Sequence, residues 1–334
     1  MRRSKADARL MEGGVMERLM LGDVEVLRVE ELCGRFGSGR VLVPDCPPEV
    51  WDAHRKWLEP DFWEPEDDQV VGVVQTWVLR SEGRTILVDT GVGNGRRRPG
   101  SPHFDQLETD YLGRLAAVGV RPEDVDVVVN THLHGDHVGW NTRAEGDSWV
   151  PTFPNASYLM PAADHAYFSP EGAAARPVPR DDAGRARREE QRNIFADSVE
   201  PVVRAGQAVL WEGGHRVDGH LTLEPAPGHT PGSAVLRLAS GADRAVFVGD
   251  LLHTPVQILE PECSSCLCED PVGAAASRRR VLERAADEGE LFVPAHFGGS
   301  GVAEVWREGG KFGIRGWGEQ GSGAGSGRGS GVGA

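Results

Sequence analysis

The sequence predicts a layered α/β protein, because short β-rich runs alternate with helical stretches along most of the chain. The runs expected to form strands are residues 70–79, 85–88, 125–129, 157–160, 221–223, 234–238, 245–248 and 291–293. Helical periodicity and charge predict helices at residues 104–118, 182–197 and 271–287. Interleaving of this kind favours one α/β domain over separate all-α and all-β domains.

The first two predicted strands form a hairpin. Residues 70–79 and 85–88 are separated by a short polar turn, residues 81–84, which contains Gly83. No repeat or linker interrupts the middle of the chain, so we expect a single domain from about residue 23 to residue 318. Residues 1–22 read as a flexible leader. Residues 319–334 read as a disordered tail, because a Gly/Ser-rich segment cannot bury enough apolar area to offset its ordering entropy.

Composition narrows the classes of partner. The 334 residues contain 36 Lys and Arg against 51 Asp and Glu, a net charge of −15, which opposes electrostatic binding to nucleic acid or to anionic lipid. No apolar run approaches the roughly 18 residues of a spanning helix. The N-terminus lacks the apolar core of a secretory peptide. Five cysteines are too few for a disulfide scaffold. We therefore expect a cytoplasmic protein, monomer or homodimer, that binds neither nucleic acid nor membrane.

Histidines are the most informative residues. His132, His134, Asp136 and His137 fall within six residues, directly after the strand predicted at 125–129. In the His-x-His pair the two imidazoles point the same way from an extended backbone, and the turn at Gly135 directs the other two side chains to a second position. One ion cannot comfortably take all four, so two adjacent ions are expected, unless the residues form an ordinary polar loop. Imidazole and carboxylate suit zinc first, with manganese, iron or cobalt possible.

Three later residues complete this set. His229 lies in a turn-rich loop after a predicted strand, Asp250 follows the run 245–248, and His296 follows the run 291–293. Each stands where a strand gives way to a loop, which is where open α/β sheets place their sites.

These motifs resemble the metallo-β-lactamase fold superfamily. They are V-D-T-G at 88–91, T-H-L-H-G-D-H at 131–137, A-P-G-H-T-P-G at 226–232, V-G-D at 248–250 and P-A-H at 294–296, in the family's order. The resemblance covers roughly residues 23 to 300. It implies a four-layer αββα sandwich with a dinuclear metal site at the edge between the two sheets.

The resemblance also implies a role for each candidate ligand. The first ion would be bound by His132, His134 and His229, the second by Asp136, His137 and His296, and Asp250 would bridge the two. True β-lactamases usually have Cys at the position of Asp250, so β-lactam cleavage is not expected. Asp89 would orient the ligand loop through hydrogen bonds or simply form its turn.

The implied chemistry is hydrolysis by a hydroxide held between two cations, whose pKa they lower strongly. Asp136 would carry a proton to the leaving group. His253, three residues after Asp250, would donate to the substrate oxygen or act as an acid; the alternative is a hydrogen-bonded structural histidine.

The motif layout resembles the quorum-quenching lactonase and methyl-parathion-hydrolase-like branch. We therefore expect a dinuclear zinc-dependent hydrolase whose partner is a small-molecule lactone or carboxylic ester. The alternatives are a glyoxalase II-like thioester hydrolase, a phosphotriesterase, or a persulfide dioxygenase with one iron. A thioesterase for glutathione conjugates would favour a late basic patch, and Arg278, Arg279 and Arg280 are the clear candidates there.

Four further features bear on the substrate, and three of them have a stated structural alternative. The aromatic cluster at 51–63 forms either an apolar wall over the metals or core packing. Trp140 is a candidate to line the pocket. The charged run 180–192 is either a solvated helix face or a lid. Cys263, Cys266 and Cys268 are expected to be reduced thiols in a loop near the site, rather than a third metal site or a redox pair.

Overall fold

The structure, a computed structural model, describes residues 9–10 and 16–316 of the chain. The strands are β1 (Arg9–Leu10), β2 (Met16–Leu21), β3 (Val24–Ser38), β4 (Trp63–Glu64), β5 (Gln69–Ser81), β6 (Arg84–Val88), β7 (Val127–Val129), β8 (Thr142–Glu145), β9 (Ser148–Pro151), β10 (Ser157–Pro161), β11 (Ala208–Trp211), β12 (His215–Arg216), β13 (Leu221–Pro225), β14 (Ala234–Ser240), β15 (Asp243–Phe247), β16 (Leu291–Val293), β17 (Ala303–Glu308) and β18 (Lys311–Gly316).

The helices are α1 (Gly39–Leu42), α2 (Pro48–Ala53), α3 (Arg55–Leu58), α4 (Tyr111–Ala117), α5 (Gly135–Val138), α6 (Ala162–Phe168), α7 (Pro170–Ala175), α8 (Asp182–Ile194), α9 (Glu200–Arg204), α10 (Val256–Leu259) and α11 (Pro271–Glu288). A π-helical segment, Phe195–Val199, continues α8 into α9. Among the described residues, no helix combines the length and the apolar character needed to cross a membrane.

Two mixed sheets form the centre of the molecule. The first has the order β1-β2-β3-β5-β6-β7-β10-β11, with β4 paired to β5; the second has the order β12-β13-β14-β15-β16-β17-β18. A small hairpin, β8-β9, stands apart. Pairing is parallel from β6 through β7 and β10 to β11, and again between β15 and β16. Consequently several strands end at one edge of the molecule.

Side-chain alternation along the strands builds four layers. In β6, Ile86 and Val88 face the second sheet, whereas Leu87 faces the helical layer that contains Tyr111 and Leu115 of α4. In the second sheet, Leu236 and Phe247 belong to the core between the sheets. On its outer face, Val246 and Phe292 pack with Val281 and Leu282 of α11. The predicted αββα sandwich is therefore confirmed.

Most predicted elements are present, with shifts of a few residues. The hairpin of β5 and β6 is confirmed, and its turn places both Glu82 and Gly83 at positive φ. The helix expected at 104–118 is wrong in its first half, since α4 begins only at Tyr111. The preceding residues form a loop in which Gln106 has φ 54° and its N–H donates to Arg96 O.

The prediction of a flexible leader over residues 1–22 also needs correction. Met16–Leu21 is strand β2, which pairs antiparallel with β3. Leu19 and Leu21 alternate into the core between the sheets, and this burial orders the segment. Residues 1–8 and 11–15 of the leader, and the whole tail at 319–334, lie outside the described residues.

Candidate metal centre

The seven candidate ligands converge at one edge of the sandwich, each from the carboxyl end of a strand. His132, His134, Asp136 and His137 follow β7, the last two within α5. His229 follows β13, Asp250 follows β15 and His296 follows β16. The structure therefore brings together every metal ligand that the sequence predicts.

The first cluster contains His132, His134, His229 and Asp250. His134 Nδ1 lies 3.1 Å from His132 Nε2 and 2.9 Å from His229 Nε2. Asp250 Oδ2 lies 3.7 Å from His132 Nε2 and 3.3 Å from His229 Nε2. The four side chains thus point their nitrogen and oxygen atoms at one small volume.

The second cluster contains Asp136, His137 and His296. Asp136 Oδ2 lies 3.7 Å from His137 Nε2 and 3.6 Å from His296 Nε2. The other carboxylate oxygen of Asp250, Oδ1, lies 3.2 Å from His137 Nε2 and 2.9 Å from His296 Nε2. Asp250 therefore stands between the clusters with one oxygen directed at each.

The donor set fits divalent cations. His137 Nε2 and Asp250 Oδ1 are sealed from solvent, yet neither has a well-aligned hydrogen-bond partner among the described residues. Such orphaned polar atoms are costly unless something else satisfies them. Burial, together with the neighbouring imidazoles, lowers the pKa of His132 and His134 well below the ordinary value, so these rings stay uncharged. A neutral imidazole is the form that coordinates metal.

Asp250 is held as a carboxylate. Burial opposes its ionisation, but His137, His296 and His253 outweigh that effect and hold the pKa of Asp250 well below its usual range. The same proximity works in reverse on His137: burial disfavours its charged form, whereas Asp250, Asp136 and Asp89 raise the pKa of His137 well above the ordinary value. The site therefore concentrates negative charge around buried imidazoles, which is the electrostatic environment that a cation requires.

Hydrogen bonds behind the ligands fix their orientation. Asp89 Oδ2 lies 2.9 Å from His137 Nδ1 and also accepts from Thr131 Oγ1 at 2.8 Å. The backbone N–H of Thr131 donates to Asp89 Oδ1, so one buried carboxylate organises the whole ligand loop. His296 Nδ1 meets Val73 O of β5 at 2.9 Å. Asp89 thus makes the orienting contacts that the sequence suggested for it.

Asp164, in α6, is a buried residue that the sequence did not identify. Its Oδ2 accepts from Leu133 N at 3.0 Å and from Thr230 Oγ1 at 2.8 Å, and its Oδ1 accepts from Gly232 N at 2.5 Å. It thereby joins the loop of His132 and His134 to the loop of His229. No local pattern marks this residue, because it is one of 51 acidic residues and stands in no motif.

Two glycines allow the ligand loops to pack this closely. Gly228 has φ 135°, and a Cβ there would lie 2.1 Å from Ala274 N of α11. Gly249 has φ 51°, and a Cβ there would lie 2.6 Å from Thr131 Oγ1. Any larger residue would displace His229 or Asp250, respectively, from the cluster.

His253 and Asp136, the two residues predicted to act on the substrate, both line the cavity above the clusters. His253 is buried, and its Nε2 lies 3.2 Å from Asp250 Oδ2. Neither ring nitrogen has an aligned hydrogen-bond partner among the described residues, whereas its backbone N–H donates to Gln257 Oε1 at 2.8 Å. Asp136 is less enclosed, with 20% of its side chain exposed.

The cavity has a volume of about 750 Å³. Its apolar lining includes Phe36, Leu42, Val70, Phe104, Ile194 and Leu267. Helix α8 forms one wall, and Glu190 ties that helix to the loop before Phe104 by accepting from Gly100 N at 2.5 Å and Ser101 Oγ at 2.8 Å. The charged run predicted as either a solvated face or a lid therefore does both in part: one side of α8 lines the cavity, and Arg185, Glu189 and Arg192 are exposed to solvent.

Other features that the sequence offered as pocket elements lie elsewhere. Trp51 and Trp63 are fully buried against each other, with ring centroids 5.3 Å apart, and belong to a core cluster with Cys46 and Cys263. Trp140 stacks on Tyr111 and donates to Glu31 Oε1 at 2.6 Å. Trp51 and Trp63 therefore pack in the core instead of forming a wall over the metals. The prediction that Trp140 lines the pocket is wrong.

The cysteines of the 263–268 loop are free thiols. Their loop borders the site through two neighbours: Leu267 lines the cavity, and Cys268 Sγ lies 3.8 Å from His229 Nδ1. The described residues group no cysteine with other potential ligands into a further metal cluster.

Comparison with known sequences places these motifs in one family. A family model described as the metallo-beta-lactamase superfamily matches residues 70–296. The chain is 26% identical over 160 residues to the uncharacterized protein YobT of Bacillus subtilis, covering 48% of this chain and 54% of that protein. It is 30% identical over 123 residues to the N-acyl homoserine lactonase AttM of Azorhizobium caulinodans, covering 36% and 38%. The chain thus spans about half or less of the length of these relatives.

Solved structures share the fold at low identity. The hydrolase AbOPH of the β-lactamase superfamily superposes with a TM-score of 0.73 at 23% identity, covering 93% of this chain and 98% of its own. AidC, a dizinc quorum-quenching lactonase solved with a product, superposes with a TM-score of 0.72 at 20% identity, covering 91% and 98%. These likenesses support the architecture of nearly the whole chain.

Proposed function

Because the chain belongs to the metallo-β-lactamase superfamily, we propose that it is a dinuclear zinc-dependent hydrolase of ester-like bonds, with a lactone as its first expected substrate. The observation that carries this proposal is the position of Asp250, which directs one carboxylate oxygen at each of two imidazole clusters. A single ion would not require that arrangement.

In this proposal the first ion would be held by His132, His134 and His229, and the second by Asp136, His137 and His296. Asp250 would serve both. Imidazole nitrogen and carboxylate oxygen are donors that suit zinc, and each set offers four protein ligands because Asp250 is shared by both. Manganese, iron and cobalt share these preferences closely enough to be tested beside zinc.

Divalent ions bound here would supply Lewis acidity and lower the pKa of bound water to about 7. The chain's own residues then divide the remaining tasks. Asp89 holds His137 in orientation from behind. Asp136 lies on the cavity side and can carry a proton to the leaving alkoxide. His253 lies at the cavity wall, its ring nitrogens have no aligned hydrogen-bond partner within the described part of the chain, and it can donate to the substrate's carbonyl oxygen.

The cavity supports a small organic substrate with an apolar part. Its volume of about 750 Å³ and its aromatic and aliphatic lining suit an acyl or aryl group placed beside the clusters. Two proteins named as lactonases are among the similar ones, AttM by sequence and AidC by fold. An acyl homoserine lactone is therefore the first substrate to test.

The second cluster argues against the persulfide dioxygenase alternative. That chemistry uses one iron, whereas here Asp136, His137 and His296 bring their ligand atoms within 4.8 Å of one another at a separate position. Thioesters and phosphotriesters remain alternatives of the same hydrolytic class and need direct comparison.

The test is metal-dependent acid release from a long-chain acyl homoserine lactone, followed with a pH indicator. We expect rapid release by the zinc-loaded protein and none above the buffer blank with Asp250→Ala. The matched control is Asp147→Ala, since Asp147 is an exposed aspartate in the β8–β9 turn and should leave the rate unchanged. Parallel assays use an aryl ester, a phosphotriester and a thioester. If one of these three is turned over faster than the lactone, it becomes the proposed substrate in its place. If none of the four compounds is turned over, the proposed hydrolase is refuted.

A further inference from the structure

The ligand imidazoles are supported from behind in an unequal way. Four of them direct Nε2 at the clusters, and three of these have an oxygen within hydrogen-bonding distance of Nδ1. The three contacts are His132 Nδ1 with Thr131 Oγ1 at 3.1 Å, His137 Nδ1 with Asp89 Oδ2 at 2.9 Å, and His296 Nδ1 with Val73 O at 2.9 Å. The fourth ring, His229, meets sulfur instead: its Nδ1 lies 3.8 Å from Cys268 Sγ.

The backbone around this thiol is tied to the histidine that it contacts. Glu269 N donates to His229 O at 3.0 Å, and Asp270 N donates to Gly228 O at 2.9 Å. Cys268 N in turn donates to Ser265 O at 3.1 Å. Backbone hydrogen bonds therefore hold the segment that carries this thiol beside the loop of His229.

We infer that Cys268 is a positioning residue for His229, with its sulfur accepting a hydrogen bond from Nδ1–H. The contact presents the lone pair of Nε2 to the first cluster, where Nε2 lies 3.3 Å from Asp250 Oδ2. Outer partners of this kind fix the orientation of a ligating ring and raise its basicity. The inference rests on the proposed metal-binding function, since it assigns His229 to an ion.

The first test measures zinc affinity rather than turnover. We compare the wild type with Cys268→Ala by competition with a chromophoric chelator. The expected result is that one of the two zinc equivalents binds about 10- to 100-fold more weakly in the variant. Cys266→Ala is the matched control, because Cys266 is an exposed cysteine of the same loop. Cys268→Ser restores an acceptor and should lie between the wild type and Cys268→Ala. Equal affinity in Cys268→Ala and the wild type would overturn the inference.

A second readout works on metal-free protein. Nitrogen-detected NMR of the imidazoles should show the Nδ1 proton of His229 protected from solvent exchange in the wild type and in Cys266→Ala. In Cys268→Ala that protection should be lost, while His137 keeps its own through Asp89. If the wild type takes up no zinc, the proposed function fails, and this NMR comparison alone decides the Cys268 contact. Protection that persists in Cys268→Ala refutes the contact whatever the metal content.

Discussion

Replacing Asp164 by asparagine tests how the two ligand loops are held together. The carboxylate accepts three hydrogen bonds: two through Oδ2, from Leu133 N and Thr230 Oγ1, and one through Oδ1, from Gly232 N. Asparagine has the same shape but only one acceptor oxygen. The amide oxygen would keep the two partners of Oδ2, and the NH₂ group would then face the N–H of Gly232.

The expected cost follows from that mismatch. A buried backbone N–H left without an acceptor costs about 1–3 kcal/mol. Burial raises the pKa of Asp164 to about 6 despite its three donors, so the folded protein stabilises this carboxylate less than water does. The neutral amide recovers part of that penalty. We therefore expect Asp164→Asn to lower the free energy of unfolding by about 1–2 kcal/mol, which is the lower half of the range for an unpaired buried N–H.

The assay is urea unfolding of metal-free protein at pH 7, so that loss of metal does not contribute. Asp147→Asn, an exposed substitution in the β8–β9 turn, is the control and should lie within about 0.5 kcal/mol of the wild type. Zinc affinity should fall in Asp164→Asn as well, because the loop of His229 is no longer fixed to the loop of His132. An unfolding free energy equal to that of the control would show that Asp164 does not join the two loops.

Three further outcomes are expected. Asp197→Asn removes the carboxylate that pairs with the buried Arg96 and Arg98 at 2.9 and 2.8 Å, and should cost about 3–5 kcal/mol in chemical unfolding; a loss below 1 kcal/mol contradicts this. Burial lowers the pKa of His165 below its ordinary value of 6.5 in the folded protein. As the pH falls, the unfolded chain therefore takes up this proton first, and the free energy of unfolding decreases. In metal-free protein, the free energy of unfolding of His165→Phe should therefore fall less than that of the wild type between about pH 7 and about pH 5. Equal dependence of that free energy on pH in the two proteins would contradict this expectation. Removing metal with a chelator should lower the melting temperature, and zinc should restore it, because an ion that binds only the folded state stabilises it; an unchanged melting temperature contradicts a metal site that is coupled to folding.

The meeting of the candidate ligands was predictable because they lie in short sequence patterns at strand ends. His132, His134, Asp136 and His137 are adjacent in the chain, and Asp250 and His296 directly follow apolar runs. Local patterns of this kind do not depend on knowing which strands are neighbours. The same holds for the hairpin of β5 and β6, whose turn chemistry is contained within four residues.

What could not be predicted depends on long-range contacts. Strand β3 carries many charges, and Arg28 within it is nevertheless buried, because Phe297 O and Gly299 O accept from its guanidinium. Those partners are about 270 residues away, so the sequence offers no local sign of them. Asp164 and Cys268 are of the same kind, since their roles arise only when distant loops meet.

The helix expected from residue 104 failed for a related reason. Periodicity there is adequate, but Gly95 N donates to Leu107 O and Gln106 N donates to Arg96 O. Leu107 O is the acceptor that an earlier helix would need for Tyr111 N, and Gln106 has a φ of 54°, which a right-handed helix does not contain. Tertiary pairing therefore overrides local propensity and places the loop with Phe104 at the cavity.

The proposed dinuclear site depends on Asp250 serving two divalent ions at once. The most direct measurement is metal content per chain, by elemental analysis, for the wild type and Asp250→Ala after equal exposure to zinc and removal of free metal. We expect two zinc per chain in the wild type and a clear loss from both positions in the variant. One ion per wild-type chain, or two ions retained by Asp250→Ala, would contradict it.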